Sequence, residues 1–178
     1  MGNTIPNGKL MRVIIREENT SDVEAIEAVT IEAFLDAPHT DHTEHFIVRS
    51  LRKSESLTIS LVAEAHGKII GHVAVSPVTI SDGTKGWFGL GPISVLSDHQ
   101  RFGIGSKLMG SALEKLQHIG ASGCVLLGDP AYYSRFGFRP ESNLVLPGVP
   151  ADYFQALSFV DSLPRGQVTY HDAFNAKG

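Results

Sequence analysis

The chain has a single cysteine, Cys124, so no intrachain disulfide can form. Its setting, "GCVLLG", is apolar, and the thiol reads as a small buried hydrophobe. A chain without a disulfide framework points to the cytoplasm. No apolar run is long enough to cross a bilayer, and no signal-peptide pattern is present, so no membrane partner is expected. Basic residues are not in excess. There are 15 Lys and Arg against 19 Asp and Glu, a net charge of −4, which excludes general attraction to nucleic-acid phosphates. The chain also lacks internal repeats, low-complexity tracts and a linker-like stretch.

What is present is enough for one domain with a sizeable core, since the chain has 178 residues. We expect a single domain over 11–178, behind a flexible leader at 1–10, "MGNTIPNGKL", which is polar and rich in turn formers. Met11 to Glu18 predicts a strand. Ser21 and Glu24 have capping-box spacing, and Val23, Ile26, Thr30 and Phe34 continue at helical period, so a helix is expected from Ser21 to about Phe34. After the polar break "DAPHTDHTEH", Phe46, Ile47 and Leu51 suggest a second helix. "LTISLVAEA" and "KIIGHVAVSPVTI" flank His66–Gly67 as a hairpin, and "SDGTKG" leads into a third antiparallel strand, "WFGLGPISVL".

Ile104, Leu108, Met109, Ala112, Leu113 and Leu116 form one stripe of a helix, with Gly120 as its stop. "CVLLG" is then a short buried strand. The intervening helix makes it parallel to the strand before it. Asp129 is a candidate N-cap for a short helix, "DPAYYSRF", with Pro130 in its first turn. Strand-like runs recur at "NLVL" and "QVTYH". The result is an α+β fold: a mixed, mostly antiparallel sheet with helices on both faces.

The segment Arg101 to Ser106 carries Gly103 and Gly105 at the start of that striped helix. A helix start offers unpaired N–H groups and a partial positive charge, and glycines let an anion approach them. The spacing is not that of a Walker A loop. It is not a dinucleotide fingerprint either, because the third glycine, Gly110, comes five residues after Gly105. By itself the loop is either a pyrophosphate cradle or a plain turn.

The surroundings decide between them. "LGPISVLSDHQRFGIG" has a hydrophobic strand followed by Gln100-x-x-Gly103-x-Gly105, and resembles motif A of the GNAT superfamily of N-acetyltransferases. Downstream, "GDPAYYSRFGF" places Tyr133 four residues before Gly137–Phe138, a second resemblance to that family. "LGDPAYYSRFGF" is similar to a bacterial branch of predicted acetyltransferases. The resemblance runs from Arg12 to Phe138. It implies acetyl-CoA as co-substrate, its pyrophosphate held by the backbone amides of Arg101, Phe102, Gly103, Ile104, Gly105 and Ser106. Ile93, Ser94 and Val95 would pair with the pantetheine arm. Pro92 lacks a ladder donor and fits the bulge and splay that part this strand from "CVLLG" in the family.

The chemistry implied is acetyl transfer to a primary amine of a small molecule, by direct attack on the thioester. Tyr133 stands at the family position of the proton donor to the leaving sulfur. A phenol with a pKa of ~10 is protonated at neutral pH. A backbone N–H near Ile93 would hold the oxyanion. A non-catalytic acyl-CoA sensor and transfer to a protein amine are the alternatives, and a homodimer is left open. The depth of the cleft near Val95 and Phe88 would set the acyl chain.

Other residues invite roles. Tyr132 is expected to point away from Tyr133 and to be structural. His72 and Ser76 share a face of the central sheet, where His72 is either a proton relay or a hydrogen-bonded core histidine. His39, His42 and His45 diverge on a helix, each three-residue step turning by about 300°, so no metal is expected. Asp36, Asp41 and Glu44 in "FLDAPHTDHTEHF" would favour a cationic amine, because the family forms acceptor contacts between its first two helices. Arg135 would meet either a CoA phosphate or a surface carboxylate.

Overall fold

The hairpin at His66–Gly67 sets the frame of the fold. The computed structural model describes residues 3–4, 10–38 and 40–178. The strands are β1 (Asn3–Thr4), β2 (Leu10–Met11), β3 (Val13–Glu17), β4 (Ile59–Ala65), β5 (Lys68–Ile80), β6 (Trp87–Val95), β7 (Gly123–Leu127), β8 (Arg139–Pro140), β9 (Leu144–Val145), β10 (Phe154–Ser158) and β11 (Gly166–Tyr170). The helices are α1 (Val23–Phe34), α2 (Glu44–Lys53), α3 (Ile104–His118) and α4 (Pro130–Tyr133). The leader expected at 1–10 lies largely outside the described residues. Within it, Asn3–Thr4 pairs antiparallel with Leu10–Met11.

The main sheet runs β3-β4-β5-β6-β7-β10-β8, with β11 joining β5 and β9 joining β11. Pairings from β3 to β6 are antiparallel, whereas β6 and β7 are parallel across the α3 crossover. The architecture is the α+β one expected: a mixed, mostly antiparallel sheet flanked by helices. The striped helix α3 buries Ile104, Leu108, Met109, Ala112 and Leu116 on one face of the sheet, against Leu61, Ala63, Val73 and Val75. On the other face Ile26 of α1 and Val48 of α2 pack on Val62 and Ala74.

Two local expectations are corrected. The capping box is two residues earlier than Ser21 and Glu24. The Asn19 side chain accepts from Ser21 N–H at 3.0 Å, and the Asp22 carboxylate accepts from Asn19 N–H at 2.8 Å. Asp22 is held there by the Arg16 guanidinium, at 2.7 and 3.0 Å, so a long-range ion pair chooses the cap. A short 3₁₀ turn, Thr20–Asp22, therefore precedes α1. The second correction is β10. "FQALS" pairs antiparallel with β7 along its whole length, yet no strand was expected there. Its first three residues are buried on both faces, so it shows no alternation to read.

The central pair is splayed. Val73 pairs with Ile93 but Val75 pairs with Leu90, so Ala74 alone opposes both Gly91 and Pro92. That is a β-bulge in β6. Pairing of β6 with β7 is confined to Trp87–Gly89 against Gly123–Val125, and past Gly89 the two strands part.

Candidate active site

The parting strands open onto a cleft of about 510 Å³. Ile93 and Val95 line it from β6, and Arg101, Gly103, Ile104, Gly105 and Ser106 from the loop and the first turn of α3. Tyr132, Tyr133 and Arg135 close it from α4 and the turn after it. Of the residues assigned from the sequence to acetyl-CoA binding and catalysis, only Ser94 and Phe102 do not line the cleft. Ser94 is turned to the opposite face, in register with His72, and Phe102 packs against the core below α3. Their backbones still belong to the strand and loop that form the wall.

α3 begins on Gly103, whose φ of 76° is left-handed, and no side chain among the described residues caps the helix. The first-turn amides have no intrahelical acceptor. They leave an uncapped positive helix end at the cleft wall. Gln100 pins the loop above, its Nε2 donating to the Val95 carbonyl at 3.1 Å.

Tyr133 sits in a half-buried aromatic nest. Its ring meets Tyr132 edge-on with centroids 4.9 Å apart, and Phe138 at 6.5 Å. Burial, with a smaller effect from Tyr132, pushes its phenol up to about 12. The group is therefore a proton donor throughout the neutral range and is not a base.

Tyr132 corrects the expectation of a purely structural residue. Its ring faces the cleft, and its hydroxyl lies 3.2 Å from Ser106 Oγ, which ties α4 to α3. The Arg135 guanidinium stacks over the Tyr132 ring at 4.4 Å, and its Nε donates to the Tyr132 carbonyl at 2.9 Å. Arg135 thus presents a cation to the cleft, and no carboxylate pairs with it among the described residues. Sequence alone did not place Tyr132 in the site, because α4 is one turn long and residue spacing does not fix which face such a turn exposes.

His72 is fully buried, its Nε2 2.7 Å from Ser60 Oγ. Burial, aided by the Arg52 charge, pushes its pKa down to about 3. It stays neutral at physiological pH, which fits the core-histidine reading over a proton store. Cys124 is fully buried and burial pushes its thiol upward, so it is no nucleophile.

The α1–α2 connection forms a separate recess of about 200 Å³, lined by Ile31, Phe34, Leu35, His42, Glu44 and His45. Asp36 and Asp41 are exposed and do not line it. Glu44 is bonded to Thr40. His39 lies outside the described residues.

Comparison with known proteins gives the family of the chain. The sequence profile of the acetyltransferase (GNAT) domain matches residues 56–140. The uncharacterized N-acetyltransferase YhbS of Escherichia coli strain K12 is 35% identical over 84% of this chain and 94% of its own length. The crystal structure of a GNAT family acetyltransferase from Brucella melitensis, in complex with acetyl-CoA, is 45% identical and superposes with a TM-score of 0.82. That match covers 92% of this chain and 98% of the other. Escherichia coli YhbS in complex with CoA is 34% identical with a TM-score of 0.85, covering 96% of each chain.

Proposed function

Since the chain belongs to the GNAT acetyltransferase family, we propose that it moves the acetyl group of acetyl-CoA onto a primary amine of a small molecule, by direct attack on the thioester. The observation that carries this reading is one cleft with an uncapped helix start at one end and the Tyr133 phenol at the other. Solved relatives with acetyl-CoA and CoA support the co-substrate.

The residues divide the work. Backbone amides from Arg101 to Ser106 hold the pyrophosphate, and Arg135 adds a cation beside it. Ile93, Ser94 and Val95 offer backbone partners to the pantetheine arm. A backbone N–H near Ile93, where the bulge takes β6 off its ladder, stabilises the oxyanion. Tyr133 gives its proton to the departing sulfur. The amine attacks in its neutral form and loses a proton to water as the tetrahedral intermediate collapses, and Tyr133 regains its proton from solvent.

The reaction is carried by one domain, residues 11–178. A lone, deeply buried, reduced cysteine fits a cytoplasmic protein. No helix among the described residues is long and apolar enough to cross a membrane. The direct test is thiol release from acetyl-CoA across a panel of amines, with the acetylated product identified by mass. Tight acetyl-CoA binding without amine-stimulated release would make the protein an acyl-CoA sensor instead.

A further inference from the structure

The C-terminal strand brings a second tyrosine to the opposite side of the splay. β11 pairs antiparallel with β5, Tyr170 opposite Val78. Tyr170 packs with Val78, Trp87 and Val125, on the sheet face away from α3. Tyr133 packs with the cluster on the α3 face. The two phenols thus lie on opposite sides of the place where β6 and β7 part.

Tyr170 is seated on Gly89, the last β6 residue paired with β7. A Cβ at Gly89 would stand 2.4 Å from Tyr170 Cε1, the ring carbon next to the one that carries the hydroxyl. Only a residue without a side chain leaves room for the ring there. The segment is held firmly. His171 bonds Ser56 Oγ through Nε2 at 3.0 Å and accepts from Ala173 N–H through Nδ1 at 3.0 Å. Phe174 lies 4.8 Å from the Tyr170 ring.

Among the described residues, the same sheet face holds buried polar atoms without a hydrogen-bond partner. Ser76, paired with Gly89, is fully buried and its hydroxyl has no partner. Ser94 Oγ and His72 Nδ1, paired across β5 and β6, are also buried and unpartnered. Buried polar atoms nearly always find a partner, in the protein, in water or in a ligand. Three such atoms lie on the face that carries Tyr170, two of them on β6 and β5 residues flanking the bulge and one opposite Gly89.

We propose that Tyr170 is an acceptor-binding residue, its hydroxyl taking a hydrogen bond from an N–H of the incoming amine on the face opposite Tyr133. This inference rests on the acetyltransfer reading above and names the side from which the amine attacks. Donation from the amine to the phenol oxygen leaves the nitrogen lone pair free to attack the carbonyl. The sulfur then departs toward Tyr133 on the other face, so the phenol that binds the amine and the phenol that donates the proton do not compete. The Tyr170 and Phe174 rings, 4.8 Å apart, offer aromatic surface beside the hydroxyl, which favours an amine on an apolar or aromatic carbon skeleton.

The test is Tyr170→Phe, which keeps the ring and its seat on Gly89. Thiol release is measured with benzylamine, n-butylamine, ethanolamine and spermidine, beside acetyl-CoA affinity by calorimetry and the slow amine-independent release. We expect the amine KM to rise at least tenfold, with kcat changed by only a few fold. Acetyl-CoA affinity and amine-independent release should be unchanged. The wild type should prefer benzylamine to ethanolamine. An unchanged amine KM in Tyr170→Phe overturns the inference, as does a parallel loss of acetyl-CoA affinity, which would make the hydroxyl merely structural. A wild type that no amine stimulates overturns the proposed function itself, and this inference with it.

Discussion

The ring of Tyr133 occupies the space where Gly128 would carry a side chain: a Cβ at Gly128 would stand 2.1 Å from Tyr133 Cε2. The glycine just after β7 is therefore part of the seat of the proposed proton donor. Gly128→Ala should displace the phenol, and Tyr133→Phe should remove its proton while keeping the ring. In the second variant turnover is expected to fall by ~10²-fold or more, with acetyl-CoA binding little changed. Gly128→Ala should lose turnover in the same direction. Steady-state rates with calorimetry check both, and normal turnover in Tyr133→Phe would leave water as the proton source.

The uncapped start of α3 makes its own prediction. A Cβ at Gly105 would meet only Tyr132 Oη, at an ordinary 3.4 Å, so a side chain there is tolerated by the fold. Gly105→Glu puts a negative charge at the helix end and should weaken CoA binding at least tenfold, ~1.4 kcal/mol. Gly105→Ala separates steric blocking from charge. Wild-type affinity in a folded Gly105→Glu would show that the loop is not the cradle.

His72 predicts an acid limb in stability. Its folded pKa, about 3, is below the unfolded value near 6.5. The unfolded chain therefore takes up a proton first as pH falls. The contribution of neutral His72 is full above pH ~6.5 and is lost toward pH 3, at about 1.4 kcal/mol per pH unit at most. Asp22, lowered mainly by its hydrogen bonds from Arg16, acts in a separate window. Its stabilisation is present above the ordinary carboxylate pKa and lost as pH falls through its lower folded value. Urea unfolding between pH 7 and 4.5 isolates the histidine. His72→Gln should flatten that slope, and an unchanged slope would assign it to other groups.

The exposed carboxylates of the α1–α2 connection should matter little and only at low salt. Asp36→Asn with Asp41→Asn is expected to raise the KM of a cationic acceptor modestly, the difference vanishing as salt screens it. KM series at two ionic strengths decide it. An untouched KM at low salt removes any electrostatic part for this loop.

Much of the architecture was legible because it depends on local patterning. Alternation in "LTISLVAEA" and "KIIGHVAVSPVTI", the α3 stripe and the Gly103–Gly105 pair each reflect a period or a backbone need contained in a few neighbouring residues. "FQALS" was not legible, since a strand buried on both faces carries no period of two. The Asn19–Asp22 cap was missed because Arg16, on another element, selects Asp22 over nearer candidates.

By itself, the sequence determined the order of strands and helices from β3 to α4, the glycine-bearing start of α3 and the Tyr133–Gly137–Phe138 spacing. Tertiary structure alone decided which side chains meet. It put Tyr132 on Ser106, Tyr133 on Gly128 and Tyr170 on Gly89, and it set two phenols on opposite faces of the splay. Those contacts join residues far apart in the chain. Their geometry follows from strand register and packing, which local propensity does not encode.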